Sequence, residues 1–324
     1  MTGGTGFVGR HTVLALSGRG EAVRVLSRRG ADSAPPGVEG VRGDLRDPPS
    51  LASALEGVST LVHLAAILPR PGEPHRDLWE TNVEGTRSIA RAARTAGVAR
   101  FVHVSSAGVY GDGDVEAPHR ESAACQPTDE YERSKLESEK ALAEDLRGSQ
   151  VAWTVLRPGG IYGPGRSSSA DFYRRVARRR LWLHGPARFV VHPTHVRDLV
   201  QAILLVLDNP DLAGETINVG GDRPIDYREL VKMVARRLGV RAAHIGLPYP
   251  VAWTLSRTGE TLLGAFGAPP PARLRRLGRR LVSRALDTSK ARDRLGFAPL
   301  TLERGLDETI DWARQEGLLA GARS

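Results

Sequence analysis

The sequence predicts an α/β protein, in which a doubly wound parallel sheet is flanked by helices and carries a smaller C-terminal lobe. Three features indicate this fold. The chain opens on a glycine-rich loop, TGGTGFVG, that runs straight into a helical pattern. Short apolar runs then alternate with helical segments, as parallel strands and their crossover helices do. The 324 residues are 40% hydrophobic, which suits one large core and a second, smaller one.

The opening loop places Gly3, Gly6 and Gly9 at intervals of three residues. Glycines at this spacing let the backbone approach a pyrophosphate, and the amides that begin the next helix point at its negative charge. We expect that helix to cover residues 7–18.

Further elements follow in order through the first half of the chain. They are a strand within residues 23–30, a short strand before GDLRD (residues 43–47), a strand at 61–66, a helix at 77–96, a strand at 100–106, a helix at 131–147 and a strand within 151–165.

The glycine-rich loop should follow a central strand, but here it begins at Met1. Without that strand, its neighbours would present unpaired backbone groups inside the sheet. We therefore expect the first strand to be missing from this sequence and the true start to lie upstream of Met1. Intact-mass analysis of the natural protein tests this expectation, and a mass that begins at Met1 would refute it.

A phenol and an ammonium lie together in the helix at residues 131–147. Tyr131 and Lys135 are four residues apart, so both side chains leave one face. A nearby positive charge favours the phenolate of a group that normally titrates near ~10, which brings it toward acid/base work. Ser106 follows an apolar run, and a strand there would deliver its hydroxyl to the same substrate oxygen.

The glycine-rich loop together with Ser106, Tyr131 and Lys135 resembles the extended branch of the short-chain dehydrogenase/reductase superfamily, which includes epimerases, dehydratases and reductases. In that family Ser or Thr, Tyr and Lys form the catalytic set, and the separation of 25 residues between Ser106 and Tyr131 is common there. The resemblance covers nearly the whole chain except about residues 247–286. It implies a Rossmann-type fold and hydride transfer between a nicotinamide and a secondary alcohol or ketone. It also implies that Asn82 braces the active-site strand.

The resemblance further implies how the cofactor is held. NAD-preferring relatives carry an acidic residue after the second strand, where this chain has Ser27, Arg28 and Arg29. A guanidinium attracts the 2′-phosphate of NADP, so we expect NADP to be preferred over NAD. Two merely solvated arginines are the alternative. The expected contacts are Gly3, Gly6, Phe7, Val8, Gly9, Arg28, Asp44, Leu45, Leu64, Ala65, Ala66, Tyr131, Lys135, Pro158 and Gly159.

Some positions depart from relatives that act on nucleotide sugars. Gly160 and Val191 stand where those enzymes carry nucleotide-binding asparagine and arginine residues. Ala107 and Gly108 stand where dehydratases carry the Asp-Glu pair that serves as elimination acid and base. Sugar dehydration is therefore disfavoured. Other arginines are alternative nucleotide contacts, namely Arg166, Arg188 and the cluster at residues 174–180.

The C-terminal part is expected to build the substrate lobe. We assign residues 1–160 and 190–221 to the cofactor domain and residues 161–189 and 222–324 to the lobe, with returns to the main sheet near residues 195–199 and 216–221. Apolar side chains within 247–277 either wall a pocket for a hydrophobic alcohol or ketone or form the core of the lobe. They are Val251, Trp253, Leu255, Leu262, Leu263 and Phe266.

Cysteine and histidine usage argues against a metal site. Cys125 is the only cysteine, which excludes a disulfide framework and fits a reducing cytoplasm. His63 and His103 lie on apolar strands and are expected to be core residues, while His192 and His195 have no carboxylate partner at helical spacing. We expect no metal.

Charge and hydropathy bear on partners. The net charge of +9 is spread along the chain, with arginine clusters at residues 174–180 and 273–281. These clusters are either solvated or bind phosphate or a membrane surface, and no nucleic-acid-binding motif accompanies them. No apolar run approaches the roughly 20 residues that span a bilayer. By resemblance, a homodimer would form through the helices at 77–96 and 131–147.

The sequence thus predicts an NAD(P)-dependent oxidoreductase that acts on a small-molecule alcohol or ketone. An epimerase that oxidises and re-reduces a sugar carbon with the same residues is the first alternative. A non-catalytic NADP-sensing regulator is the second, although such proteins usually lack the Tyr and Lys that this chain keeps.

Overall fold

The computed structural model describes residues 1–68, 75–113, 117–178, 181–184, 189–241, 244–247, 249–265 and 283–319. Its centre is a parallel sheet. The sheet contains β1 (Arg24–Ser27), β2 (Glu39–Arg42), β3 (Thr60–His63), β4 (Arg100–Val104), β5 (Ala152–Pro158) and β10 (Glu215–Val219). β1 pairs with β2, while β3, β4, β5 and β10 pair in that order, all in parallel.

The first two residues join these two groups of strands. Leu26 N donates to Met1 O at 2.9 Å, and Thr2 N donates to Val62 O at 3.0 Å. Thr2 therefore bridges β1 and β3 in parallel, at the place of a central strand. The predicted doubly wound α/β fold is confirmed, and the expectation of a longer upstream strand stays a prediction.

Helices cover both faces of the sheet. They include α1 (Phe7–Gly18), α2 (Pro48–Leu55), α4 (Gly85–Thr95), α5 (Glu130–Asp145) and α7 (Val196–Asp208). Alternate strand residues point to opposite faces. Leu61, Phe101 and Val155 belong to the core cluster that contains Ile89 of α4 and Leu142 of α5, whereas Val62, Val102 and Leu156 belong to the cluster that contains Leu199 of α7.

The predicted helix at residues 77–96 is made of three segments. α3 (His75–Trp79) leads into a π-helical turn, Glu80–Glu84, which leads into α4. A π-turn is a rare local widening of a helix that is frequent at functional sites. Here it holds Asn82, which is 1% exposed.

The lobe is built on a separate core. This core gathers α6 (Ser167–Ala177), α8 (Tyr227–Arg237) and α11 (Leu302–Gln315), together with β8 (Val190–Val191) and β11 (Ile225–Asp226), which pair antiparallel. Another pair joins β7 (Leu181–His184) to β12 (His244–Leu247) in parallel. α10 (Ser289–Leu295) packs instead with α7 under the main sheet. The domain division itself stays a prediction.

One expected return to the main sheet takes a different form. His195 ends β9 (Pro193–His195), which pairs with β6 (Gly160–Tyr162) and not with the main sheet. The rest of the HVRDL element begins α7, whose apolar face covers that sheet. Residues 216–221 behave as predicted, because β10 adds to the sheet beside β5.

The apolar residues of α9 (Tyr249–Ala265) correct a sequence expectation. Val251, Trp253, Leu255 and Leu262 are 46–56% exposed, so they are not the core of the lobe. Leu263 is half-buried, and Phe266 lies outside the described residues. Within the described ranges, no helix is both long and apolar enough to cross a membrane.

His63 and His103 are fully buried, as predicted for core residues. His63 shares hydrogen bonds with Thr2 at 2.6 Å and Thr86 at 3.0 Å, and its ring stacks on that of His103 at 5.2 Å. Burial, with the Lys135 charge, lowers the pKa of His63 to about 3 and that of His103 well below its ordinary value.

We expect acid to destabilise the protein through these histidines. In the unfolded chain His63 takes up a proton near pH 6.5, whereas the buried ring stays neutral until about pH 3. The free energy of unfolding therefore falls as the pH drops through that window. The loss from His63 alone reaches about 2 kcal/mol at pH 5. Asp198, whose pKa burial raises to about 6, acts in the opposite direction. Urea unfolding at pH 7.5, 6 and 5 measures the slope, which His63→Gln should reduce; an equally steep slope in that variant would contradict the assignment.

Candidate active site

The glycine-rich loop has the shape of a phosphate cradle. Gly3 adopts a φ of +69°, and a Cβ added to it would lie 2.7 Å from Ala65 N. A Cβ on Gly9 would lie 2.0 Å from Gly3 O, so the loop closes on the helix only if both positions lack a side chain. Gly6 caps α1 without any side-chain hydrogen bond. The amides of the first turn are thus left to a ligand, and this geometry fits a dinucleotide pyrophosphate.

The other expected contacts lie around this cradle or at the ends of the strands. Phe7 and Val8 form the first turn of α1. Leu64 and Ala65 follow β3 directly beneath Gly3, and Ala66 is exposed. Leu45, in contrast, is 8% exposed within the core, so its side chain is not available to a ligand.

At the end of β5, Pro158 is buried and Gly159 N donates to Val219 O. A Cβ on Gly159 would lie 2.1 Å from His192 O. Only glycine therefore fits where the chain leaves the sheet toward the lobe.

The loop after β1 carries an exposed Arg28. Its charge helps hold the pKa of Asp44 below the ordinary value, although the main cause is the Arg46 guanidinium, which binds Asp44 at 3.1 Å. Arg28 and Asp44 therefore lie near each other, and their contact with the adenosine end of a cofactor stays a prediction.

α5 holds the phenol and the ammonium. The Asp129 carboxylate accepts from Glu132 N at 2.9 Å and so caps the helix one residue before it begins. Tyr131 is half-buried in the first turn, and Lys135, one turn later, is 2% exposed. The cap fixes where this helix starts and therefore where the Tyr131 ring points.

Ser106 lies between the end of β4 and a short helical turn, Ala107–Tyr110. Its Oγ accepts from Gly108 N at 3.0 Å, which orients the hydroxyl. A Cβ on Gly108 would lie 2.7 Å from Cγ of Glu132, so this turn packs tightly on the first turn of α5. The structure therefore brings the Ser106 segment against the Tyr131 segment, and it leaves no room at residue 108 for the acidic side chain of a dehydratase.

Burial dominates the titration of the two helix residues. It raises the pKa of Tyr131 to about 12, with the Arg166 guanidinium offsetting part of the shift. It also lowers the pKa of Lys135 to about 8, opposed by Glu139. The sequence predicts a phenol shifted toward neutrality by the lysine. In this structure burial outweighs the positive charge of Arg166, and the lysine does not set the pKa of the phenol, so Tyr131 keeps its proton at pH 7.

Arg166 contacts both α1, next to the glycine-rich loop, and α6 of the lobe. Its Cζ lies 5.4 Å from the centre of the Phe7 ring, and its Nε donates to Ser168 Oγ at 2.7 Å. Among the described residues, none provides a carboxylate within ion-pair distance of it. Arg188, the other single arginine considered from the sequence, lies outside the described residues.

Asn82 braces the site, but in a different place from the one predicted. Its side chain accepts from Ile67 N at 2.8 Å and donates to Ile67 O at 3.1 Å. It also donates to Ser134 Oγ at 3.0 Å. It therefore ties the segment after β3 to α5, and not to the strand that carries Ser106.

Two ion pairs that the sequence does not reveal support α5. Arg157 binds Glu139 at 2.6 Å, with each side chain 8% exposed. Arg284 binds Glu132, the neighbour of Tyr131. The partners are 18 and 152 residues apart, so no local pattern indicates them.

The described residues contain no cluster of three or more His, Cys, Asp or Glu side chains that could hold a metal ion. His192 bonds to Gly221 O at 3.2 Å and to Leu286 N at 3.2 Å, so its ring is engaged by backbone groups. The absence of a metal cofactor stays a prediction.

Comparison with known proteins identifies the family. The profile described as the NAD dependent epimerase/dehydratase family matches residues 1–220, which include the glycine cradle, Ser106, Tyr131 and Lys135. This chain belongs to that family. As a member of the epimerase/dehydratase family it is an enzyme, an NAD(P)-dependent oxidoreductase or epimerase, in agreement with the resemblance seen in the sequence.

Similar proteins of the family include sterol enzymes. Sterol demethylase protein B of Methylococcus capsulatus is 31% identical over 98% of this chain and 99% of that protein. The sterol-4-alpha-carboxylate 3-dehydrogenase, decarboxylating, of Bos taurus is 30% identical over 77% of this chain and 72% of its own length. A short-chain dehydrogenase/reductase superfamily protein from Agrobacterium tumefaciens, solved with bound NAD, is 28% identical with a TM-score of 0.78 over 97% of this chain and 96% of that one.

Proposed function

We propose that this family member is an oxidoreductase that transfers a hydride between NADP(H) and a secondary alcohol or ketone on a hydrophobic small molecule. The observation that carries the proposal is the arrangement of α5, which holds a protonated phenol one turn from a buried ammonium, against the segment that carries Ser106. The glycine cradle supplies the matching cofactor site.

The nicotinamide, when bound, supplies or accepts the hydride at the carbonyl carbon. The chain's residues handle the oxygen. Ser106 accepts from Gly108 N, so its own hydrogen is available to a substrate oxygen. Tyr131 donates its proton to that oxygen as the carbonyl becomes an alcohol, and takes it back in the reverse reaction.

With a pKa raised to about 12, Tyr131 holds its proton at neutral pH and has it available for a substrate oxygen. An alkoxide is more basic than a phenolate with a pKa of about 12, so proton transfer from Tyr131 to the reduced substrate is downhill. In the family's usual arrangement Lys135 holds the nicotinamide ribose, and its burial at 2% exposure keeps that ammonium out of bulk water.

The proposed substrate class rests on the similar proteins. Two of them carry sterol chemistry in their names, and one is a 3-dehydrogenase of a sterol carboxylate. We propose a sterol-like or comparably hydrophobic alcohol or ketone for this chain. The lack of the nucleotide-contacting residues at Gly160 and Val191 supports the same choice over a nucleotide sugar.

Cofactor stoichiometry tests the proposal against epimerisation. The purified protein would be mixed with NADPH and a 3-ketosteroid, while nicotinamide fluorescence and steroid product are followed together. We expect one NADPH consumed for each alcohol formed. An epimerase regenerates its cofactor, so turnover of a sugar substrate without net NADPH loss would favour that alternative. Failure to bind either nicotinamide cofactor would favour a non-catalytic role.

The NADP preference belongs to the same proposal and depends on Arg28. We expect Arg28→Asp to weaken NADPH binding by about tenfold to a hundredfold, because a charge-assisted hydrogen bond to the 2′-phosphate is lost. NADH affinity should hardly fall, since NADH lacks that phosphate. Fluorescence titration of both cofactors measures the ratio. Arg147→Asp, at an exposed arginine just after α5, is the matched control, and an unchanged NADPH/NADH ratio in Arg28→Asp would contradict the assignment.

We also propose that the protein forms a homodimer through the segment from α3 to α4 together with α5, and that it is cytoplasmic. They follow from the family resemblance and from cysteine usage.

A further inference from the structure

Glu132 is a buried carboxylate next to the proposed proton donor. It follows Tyr131 in the first turn of α5 and is 5% exposed. Its Oε2 accepts from Thr128 N at 2.8 Å and from Thr128 Oγ1 at 2.7 Å, and its Oε1 accepts from the Arg284 guanidinium. A buried carboxylate is costly unless it is hydrogen-bonded and paired, and Arg284 supplies the balancing charge.

The same side chain packs on the segment that carries Ser106. A Cβ on Gly108 would lie 2.7 Å from Glu132 Cγ, so the turn at Gly108 has no spare room beside this side chain. Gly108 N also donates to Ser106 Oγ at 3.0 Å. Glu132 is therefore bonded along the chain to Tyr131 and packed on the turn that orients Ser106, the two residues that are proposed to meet the substrate oxygen.

Arg284 is itself held by backbone hydrogen bonds on two sides. Its N donates to Val190 O in β8 of the lobe at 2.9 Å. The next residue, Ala285, accepts at 2.9 Å from His119 N, which lies in the loop between the Ser106 turn and α5. The guanidinium thus reaches α5 from a fixed place beside both the lobe and the Ser106 segment.

The position of Tyr131 in α5 makes such support valuable. The first turn of a helix lacks the full set of hydrogen bonds of the helix interior and frays readily. Reaction rates depend steeply on alignment, and a displacement of about 1 Å at the reacting groups can cost about a hundredfold. A proton donor in a first turn therefore needs contacts from outside the helix.

We propose that Glu132 and Arg284 are positioning residues for hydride transfer, and that their ion pair holds the first turn of α5, and with it Tyr131, against the Ser106 turn. The proposal rests on the function proposed above. Neither side chain has to touch the substrate. Glu132 acts on the residue that precedes it, and Arg284 acts through Glu132.

Turnover of the variants Glu132→Gln and Arg284→Gln tests the proposal. Glutamine has one acceptor oxygen in its side chain, so it cannot serve Thr128 and Arg284 together. We expect each change to lower kcat for ketone reduction by about tenfold to a hundredfold, while NADPH affinity stays within about twofold. The double variant should be no slower than the slower single variant, because the two side chains act as one unit. Near-normal kcat in both single variants, or losses that multiply in the double variant, would overturn the proposal.

Arg237→Gln is the matched control for a loss of stability. Arg237 of α8 binds Asp307 of α11 at 2.6 Å, and its side chain is 21% exposed, against 27% for Arg284. The control should lower the melting temperature about as much as Arg284→Gln does, yet keep normal kcat. An equal loss of kcat in the control would assign the effect to general destabilisation and contradict the positioning role.

Fluorine NMR follows Tyr131 without any substrate. The chain has six tyrosines, so labelling with 3-fluorotyrosine gives few signals, and Tyr131→Phe assigns the one that matters. We expect that signal to broaden or split in Glu132→Gln and Arg284→Gln and to stay unchanged in Arg237→Gln. An unchanged signal in both of the first two variants would refute the positioning role. Because this readout needs no turnover, a failure of the original chain to reduce ketones would count against the proposed function alone.

Discussion

Replacing Tyr131 by phenylalanine should lower kcat for ketone reduction by about two to four orders of magnitude, because the substrate oxygen loses its proton donor. The ring itself stays, so packing in the first turn of α5 is preserved. NADPH affinity should remain within about twofold, since the cradle and Lys135 are untouched. Steady-state turnover and fluorescence titration on the same preparation measure the two quantities separately.

Tyr227→Phe is the matched control for this change. Tyr227 is also half-buried, but its ring stacks on Phe189 in the lobe at 4.7 Å between ring centres. It should keep normal turnover. Near-normal turnover of Tyr131→Phe would remove Tyr131 from the role of proton donor, and an equal loss in both variants would point to a general effect on folding.

Gly9→Ala should disable the cofactor site. The new Cβ would lie 2.0 Å from Gly3 O and 2.6 Å from Gly4 Cα, both backbone atoms that cannot rotate away. The loop must therefore shift, which moves the amides that bind phosphate. We expect the free energy of unfolding to fall by about 1 to 3 kcal/mol and NADPH affinity to fall more than about tenfold.

Gly18→Ala provides the control within the same helix. A Cβ there meets no atom within 4 Å, so the variant should bind NADPH normally and be stabilised by up to about 1 kcal/mol through helix propensity. Chemical unfolding and cofactor titration of both variants make the comparison. Normal NADPH binding by Gly9→Ala would mean that the close approach of α1 to the loop is not needed for the site.

Much of the site was predictable because its signals are local. The glycine-rich loop predicts that α1 follows it over residues 7–18, which are its bounds, and the spacing of four residues puts Tyr131 and Lys135 on one face of α5. The glycines at positions 3, 6 and 9 indicate that backbone segments approach one another closely, and the structure shows this approach between the loop, α1 and the segment after β3. In each case the residues that make the signal are neighbours in the chain.

The features that were not predictable depend on distant parts of the chain. The high pKa of Tyr131 results from burial by several elements, which a sequence motif does not measure. Arg284 meets Glu132 only after the chain has built most of the lobe. Large apolar side chains are buried on average, but Leu255 is exposed, because apolar composition alone does not tell which face of a helix meets the core.

The geometry near the active site depends on the number of residues in the π-helical turn at Glu80–Glu84. Each residue of an α-helix advances the direction of its side chain by about 100°. Because the wide π-turn uses one extra residue for about the same rotation, deleting one residue within it would let the segment close as ordinary α-helix, leave α3 and α4 nearly unrotated, and redirect the side chains inside the turn itself. The Asn82 amide would then swing away from Ile67 and Ser134, which it now joins. At this place the number of residues constrains the site as strongly as their identity.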